Sequence, residues 1–191
     1  MTSVSFHTIK NLSRTEYETL LKRSESDLSF FSEKVKPIIE AVRTQGDAAL
    51  VQFGREFDGA RSLTKATLKV SQAEFDGAFN SVAPEVIEAI RYGSENIKTF
   101  HEVQKPEPMW LKEIKPGAFA GDRYTPIQSV ALYVPRGKGA FPSVTMMTAV
   151  PAIIAEVPNL AIFTPPTEDG SVDAATLVAA RIAGVETVYK C

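Results

Sequence analysis

The sequence predicts an α/β protein in which amphipathic helices come first and a parallel sheet follows. Charged residues number 29 among the first 105 positions but only 11 among the last 71, whereas ten of the twelve prolines follow residue 105. In the last part, three short apolar runs begin about thirty residues apart, with a helical segment between each pair. Buried parallel strands joined by helices have this pattern, so we expect a βαβαβ unit.

The first 105 residues are predicted to be an arm followed by helices. Residues 1–28 carry only weak signals, and we interpret them as an N-terminal arm. From about Ser32 the apolar side chains fall on one face of a helix, at positions 35, 38, 39 and 42. Pro37 is compatible with that helix only near its first turn, and Pro84 suits the first turn of a later one. Residues 29–105 are therefore expected to be the helical part of a first lobe.

The remaining residues are predicted to be a linker and the start of a second lobe. Residues 106–120 contain three prolines and a glycine, which is typical of a linker with a turn. In residues 121–191 the first predicted helix is capped by Ser143, and the second begins after Asp173 and ends at Gly184. The predicted strands cover residues 130–134, 160–164 and 187–189. Since parallel sheets normally have more strands, we expect this chain to be the N-terminal part of a longer protein.

Composition argues against several classes of protein. The formal net charge is −2, so no overall basic field attracts nucleic acid or an anionic membrane. The sequence contains no apolar run of transmembrane length, and its start lacks the features of a secretory signal, so a cytoplasmic location is expected. The single cysteine, Cys191, and the two histidines, His7 and His101, leave no basis for a disulfide framework or a Cys/His zinc site.

The most informative candidate site is the loop that follows the first predicted strand. Gly137 and Gly139 would let the backbone approach a ligand closely, and Arg136 and Lys138 add positive charge. The first-turn amides of the helix at Ser143 would favour an anion. However, the third glycine of a dinucleotide fingerprint is missing. Two interpretations therefore remain, a nucleotide-phosphate site and an ordinary turn between a strand and a helix.

Other residues with functional chemistry have alternative structural explanations. Tyr133 ends the first strand, where its ring would stack on a base or its hydroxyl would bond a ribose. The pattern alone favours the alternative of a half-buried core tyrosine. His101 is interpreted as a surface or hydrogen-bonded histidine, and Glu168 and Asp169 as part of a solvated turn. No nucleophile, base and orienting group come together, so no catalytic residue is assigned.

Several segments over roughly residues 33–191 follow, in the right order, the pattern of one known family. The most specific are Thr125–Pro135 (TPIQSVALYVP), Phe141–Ala152 (FPSVTMMTAVPA), Thr164–Pro166 (TPP) and Ala179–Val185 (AARIAGV). Three further segments are Val42–Leu50, Phe57-Asp58 and Glu95–His101. Together these segments resemble the histidinol dehydrogenase family, and the last three are similar to its N-terminal helices. The resemblance implies a cytoplasmic homodimer built from two incomplete Rossmann-like lobes.

The resemblance also implies a reaction and its cofactors. Family members oxidise an amino alcohol, L-histidinol, through the aldehyde to L-histidine in two steps that use two NAD⁺, and a zinc ion positions the substrate. Tyr133 matches an NAD-contacting tyrosine of the family, and the expected cofactor-binding residues are Tyr133, Pro135, Arg136, Gly137 and Ser143. The zinc ligands and the catalytic Glu-His pair are expected beyond Cys191, so no metal ligand is assigned within this chain.

Two departures from the family pattern suggest alternatives. Arg136 stands where a glycine is common, and Ala131 replaces another usual glycine. The added charge of Arg136 would suit a pyrophosphate or another anion. The chain then belongs either to a histidinol-oxidising enzyme or to a paralogous dehydrogenase of another alcohol, for example a sulfonated diol. A non-catalytic module that binds a nucleotide, or pairs with a partner through an open sheet edge, is the third hypothesis.

Overall fold

The computed structural model of the protein describes residues 5–21, 28–137 and 139–191. Two compact units divide the chain, the first ending at Thr44 and the second beginning at Gln45. The first unit contains helix α1 (Arg14–Leu21) and nearly all of helix α2 (Leu28–Gln45). Helix α1 begins with a reciprocal cap, in which Ser13 N–H donates to the Glu16 carboxylate at 2.8 Å and Glu16 N–H donates to Ser13 Oγ at 3.3 Å.

Helix α2 starts earlier than the sequence predicts. It begins at Leu28 rather than near Ser32, so Pro37 lies in its interior and not in its first turn. A proline there removes one backbone hydrogen bond and costs about 3 kcal/mol. The helix nevertheless continues through Pro37 and has a total length of eighteen residues.

The second unit contains five helices and five strands within the described residues. The helices are α3 (Asp47–Phe57), α4 (Gln72–Ser81), α5 (Pro84–Gln104), α6 (Pro142–Ile154) and α7 (Ala174–Ile182). The strands are β1 (Met109–Lys115), β2 (Ala118–Arg123), β3 (Ser129–Tyr133), β4 (Asn159–Thr164) and β5 (Val188–Lys190). Pro84 occupies the first turn of α5. Asp173 caps the start of α7, where its carboxylate accepts from Thr176 N–H at 2.9 Å. Gly184, with φ +90°, lies just beyond the end of α7. These three local predictions are confirmed.

Strands β3, β4 and β5 form a parallel sheet in the order β3-β4-β5, with α6 and α7 as the two crossovers. Leu132 pairs with Ile162, and Ile162 pairs with Val188. The predicted α/β class, with N-terminal amphipathic helices followed by an incomplete Rossmann-like βαβαβ sheet, is confirmed.

The two faces of this sheet have different surroundings. Its even-numbered residues point to the helices, where Leu132, Ile162 and Val188 join one core with apolar side chains of α4 to α7. The odd-numbered residues line the opposite face, where Ala131 and Tyr133 are exposed. On that face Phe163 and Tyr189 stack with ring centroids 5.3 Å apart. In the described part of the chain, helices therefore cover only one side of the sheet.

A short segment near Lys69 occupies the outer edge of β5. Val70 N–H donates to Val188 O at 2.9 Å, and Lys190 N–H donates to Leu68 O at 2.8 Å. The pairing is antiparallel and limited to a single bridge, between Lys69 and Tyr189. The segment is thus joined to the sheet by this bridge and its two hydrogen bonds.

Strands β1 and β2 form an antiparallel hairpin that the sequence does not predict. They lie in the segment interpreted as a linker, and Gly117, with φ +77°, lies in the turn between them. Every residue of both strands is exposed. Because neither face is buried, the sequence lacks the alternation of apolar and polar residues that marks a half-buried strand.

Candidate functional site

The carboxyl ends of the three parallel strands meet at one edge of the sheet. Beyond β3, Val134 N–H continues the pairing by donating to Phe163 O at 2.9 Å. Beyond β5, Cys191 N–H donates to Thr164 O at 3.0 Å. Ligands of open α/β sheets bind outside such carboxyl ends, in the crevice formed by the loops that follow the strands. This edge, with the loops after β3 and β4, is the candidate site.

Tyr133 lies at the end of β3 with its side chain on the uncovered face. The residue is 62% exposed, so the alternative of a half-buried core tyrosine is wrong. Strand alternation explains this position, since Leu132 and Val134 on either side are buried at 9% and 1% exposure. The ring is therefore available to a ligand at the strand ends.

The loop after β3 leads directly into α6. Pro135, Arg136 and Gly137 are all exposed, and Lys138 lies outside the described residues. A side chain at Gly137 would bring its Cβ within 3.2 Å of the Phe141 ring. The glycine thus allows the loop to pass close to that ring.

Ser143 is the second residue of α6 and not its N-cap, so the predicted cap is wrong. The helix begins at Pro142, whose fixed φ suits the first helical position, and Phe141 is the N-cap without a side-chain hydrogen bond. Ser143 is exposed in the first turn, where Pro142 has no N–H and Val144 N–H donates to Phe141 O at 3.1 Å. An anion at this end would meet the Ser143 amide and the positive end of the helix dipole.

Arg136 makes a contact that the sequence does not reveal. Its Nη1 donates to the carbonyl oxygen of Pro166, in the loop after β4, at 2.9 Å. Asp58 follows α3 and forms no salt bridge with Arg136, but the charge of Arg136 acts on it at longer range. Burial raises the pKa of Asp58, and the positive charge of Arg136 opposes that rise. The sequence points to Asp58 only through the family resemblance, because its approach to Arg136 depends on tertiary packing.

The thiol of Cys191 lies in the same region. Burial raises the pKa of this thiol, and the charge of Asp58 adds to that effect. The thiol is therefore held in its neutral form at this edge.

The loop after β4 is held by its own hydrogen bonds. The Asp169 carboxylate accepts from Thr167 Oγ1, from Ser171 N–H at 3.0 Å and from Ser171 Oγ at 2.7 Å. The hydrogen bonds from Thr167 and Ser171 lower the pKa of Asp169 to about 2. The interpretation of Glu168 and Asp169 as part of a turn is confirmed.

His101 lies at the opposite edge of the sheet. With Tyr124, Pro126 and Val157 it lines a cleft of about 390 Å³ near the amino ends of β3 and β4. Its ring meets that of Phe100 edge-on at 5.3 Å. It is thus not brought together with Tyr133 or Arg136.

Potential metal ligands are dispersed. Among residues 5–21, 28–137 and 139–191, no three His, Cys, Asp or Glu side chains cluster in a way that could hold a metal ion. The residues present in this part of the chain therefore do not fit a zinc site.

In the same ranges, no helix is both long and apolar enough to cross a membrane.

Comparison with known proteins identifies the family. A sequence profile of histidinol dehydrogenase matches residues 21–191. The chain belongs to the histidinol dehydrogenase family. It is 68% identical over 190 residues to the histidinol dehydrogenase homolog of Cereibacter sphaeroides, and this match covers 100% of the chain and 43% of that protein. It is 44% identical over 182 residues to the histidinol dehydrogenase of Synechocystis sp., covering 95% of the chain and 42% of that protein.

A crystal structure of histidinol dehydrogenase from Elizabethkingia anophelis shares the architecture. The TM-score is 0.82 at 29% sequence identity, over 95% of this chain and 41% of that one. The chain thus spans about two fifths of the length of these relatives in the histidinol dehydrogenase family.

Proposed function

We propose that this chain is the N-terminal portion of an NAD-dependent, zinc-assisted dehydrogenase that oxidises L-histidinol through the aldehyde to L-histidine. Membership of the histidinol dehydrogenase family, together with a fold shared over 95% of the chain, is the observation that carries the proposal. The substrate is a small amino alcohol. The active protein is a cytoplasmic homodimer that binds neither nucleic acid nor membranes.

In this proposal NAD⁺ binds at the carboxyl edge of the sheet, where bound NAD⁺ supplies a hydride acceptor for each oxidation step. The exposed ring of Tyr133 stacks against the cofactor. Pro135, Arg136 and Gly137 form the loop beside it, and the amides around Ser143 interact with its negative charge. The exposure of these residues at a single edge supports this assignment.

The described residues do not fit zinc, so we derive no step through a metal from them. The zinc ligands and the acid–base pair are proposed to lie beyond Cys191, in the part of the family's length that this chain does not span. The contribution of this chain is to bind and orient the nucleotide.

The test of the nucleotide site is Tyr133→Ala in the complete protein. Loss of one stacking surface should raise the apparent KM for NAD⁺ about tenfold, equivalent to about 1.4 kcal/mol. Tyr133→Phe keeps the ring, and should keep a near-normal KM if stacking rather than the hydroxyl is used. Tyr92→Ala is the matched control, because Tyr92 is 73% exposed on α5. An unchanged KM in Tyr133→Ala would refute the assignment.

A second candidate is a paralogous dehydrogenase of another alcohol, including an anionic one. Two sequence identities favour it. The chain is 68% identical to the histidinol dehydrogenase homolog of Cereibacter sphaeroides but only 44% identical to the histidinol dehydrogenase of Synechocystis sp.. The exposed cation of Arg136 also favours it. NADH formation with histidinol would support the first function, whereas turnover of an anionic alcohol alone would support the second.

A further inference from the structure

Arg136 connects the loops that follow two neighbouring strands. Its backbone belongs to the loop after β3, while its guanidinium donates to the carbonyl of Pro166 in the loop after β4 at 2.9 Å. Pro166 is fully buried, so this acceptor lies on a fixed part of the structure. The hydrogen bond therefore attaches an exposed loop to a buried residue of the neighbouring loop.

The loop after β4 is in turn fixed to the region around α3. Ser62 Oγ donates to Asp169 O at 2.5 Å. A Cβ at Gly54 of α3 would lie 3.7 Å from Pro166, so α3 packs closely against that proline. The acceptor of Arg136 thus belongs to a platform built by α3 and the residues after it.

Asp58 extends this platform toward Arg136. It is the residue directly after α3 and is only partly exposed. A partly buried carboxylate is stabilised by a positive charge within electrostatic range. The positive charge of Arg136, in the loop that leads to Ser143, acts on Asp58 in this way.

We propose that Arg136 is a positioning residue: by bonding Pro166 and balancing Asp58, it holds the loop after β3 so that Gly137 and Ser143 present their amides to a nucleotide. The inference rests on the proposed NAD⁺ site and assigns Arg136 an indirect role in it. A direct role, in which Arg136 binds the cofactor phosphates itself, is the competing account.

The two accounts predict opposite effects of Asp58→Asn. If Arg136 binds phosphate directly, removing the nearby negative charge should strengthen binding and lower the KM for NAD⁺. If Arg136 positions the loop, Asp58→Asn removes part of its support and should raise that KM. The direction of the change in KM therefore separates the two roles.

The experiment compares Arg136→Gln, Asp58→Asn and the double variant in the complete protein. For a positioning role we expect each single variant to raise the KM for NAD⁺ about tenfold with kcat nearly unchanged. The double variant should be about as impaired as the worse single variant, because both changes release the same loop. Arg91→Gln, at an exposed arginine 3.6 Å from Glu88, is the control. A lowered KM in Asp58→Asn, or strictly additive effects, would overturn the proposal.

Hydrogen exchange of residues 135–141 provides a readout that does not require turnover. Both single variants should accelerate exchange there, measured without cofactor, and Arg91→Gln should not. Unchanged exchange would overturn the proposal even if KM rises. If the wild-type protein reduces no NAD⁺, the proposed function fails, while the exchange data still decide whether Arg136 holds the loop.

Discussion

Replacing Glu74 by Gln tests an ion pair that joins α4 to the sheet. Among the described residues it is the one ion pair in which a partner is buried. Lys190 of β5 is 2% exposed, and its ammonium contacts the carboxylate of Glu74, whose side chain is 29% exposed. Glu74→Gln leaves the ammonium buried without its counter-charge. Removing one partner of a fully buried pair costs about 3–5 kcal/mol. Because water reaches Glu74, we expect a loss of about 2–3 kcal/mol in the free energy of unfolding.

The change is measured by urea unfolding of Glu74→Gln beside two comparison variants. Glu102→Gln removes an exposed partner 4.0 Å from Lys98 and should cost less than about 0.5 kcal/mol. Lys190→Met should cost less than Glu74→Gln, because the carboxylate that it leaves unpaired can be hydrated. Equal losses in Glu74→Gln and Glu102→Gln would refute the reasoning.

The pH dependence of the same pair provides an independent check. Burial acts to raise the pKa of Glu74, but hydrogen bonds from Lys190 and Ser71 outweigh it, so the pKa is lowered overall. A lowered pKa in the folded protein gives stability that is present above the ordinary pKa of a glutamate and disappears as the pH falls through the folded value. The stability gap between wild type and Glu74→Gln should therefore narrow in acid. A gap of constant size down to low pH would contradict this explanation.

Three further substitutions test the fold, and a fourth tests the turn after β4. Ile162 is fully buried on the central strand, so Ile162→Ala should cost about 2–5 kcal/mol in chemical unfolding; a loss below about 1 kcal/mol would mean that the site is not core. Gly184 has φ +90° with space for a methyl group, so Gly184→Ala should lower stability by about 1–2 kcal/mol. Gly77→Ala, on an open surface of α4, should instead raise it by about 0.5–1 kcal/mol. A change in stability of the same sign in Gly184→Ala and Gly77→Ala would contradict the explanation by backbone conformation. Asp169 has its pKa lowered to about 2, so the stability difference between wild type and Asp169→Asn should persist above pH 4 and disappear toward pH 2 in a pH series of melting curves. A difference that grows in acid would exclude the hydrogen-bonded turn as its cause.

The sequence predicts those features whose signals are local. Continuous apolar runs locate all three strands of the parallel sheet to within one or two residues. Pro84, Asp173 and Gly184 mark helix ends correctly, since each acts through its own backbone geometry or a contact a few residues away. The hairpin is missed because both of its faces are exposed. The N-cap of α6 is displaced because two adjacent residues, Pro142 and Ser143, are both suitable at a helix start.

The candidate site is predicted in part for the same reason. The position of Tyr133 at a strand end follows from the chain order of strand and helix, but its exposure depends on which face of the sheet the helices cover. The role of Ser143 and the other cofactor-binding residues stays a prediction.

By itself, the sequence determined the α/β class, the order of strands and helices, and the resemblance that led to the family. Tertiary structure alone decided that Lys190 is buried against Glu74 and that Arg136 donates to Pro166. Arg136 and Pro166 are 30 positions apart along the chain, and Glu74 and Lys190 are 116 positions apart. Periodicity describes one element at a time, whereas such contacts arise only when separate elements pack together.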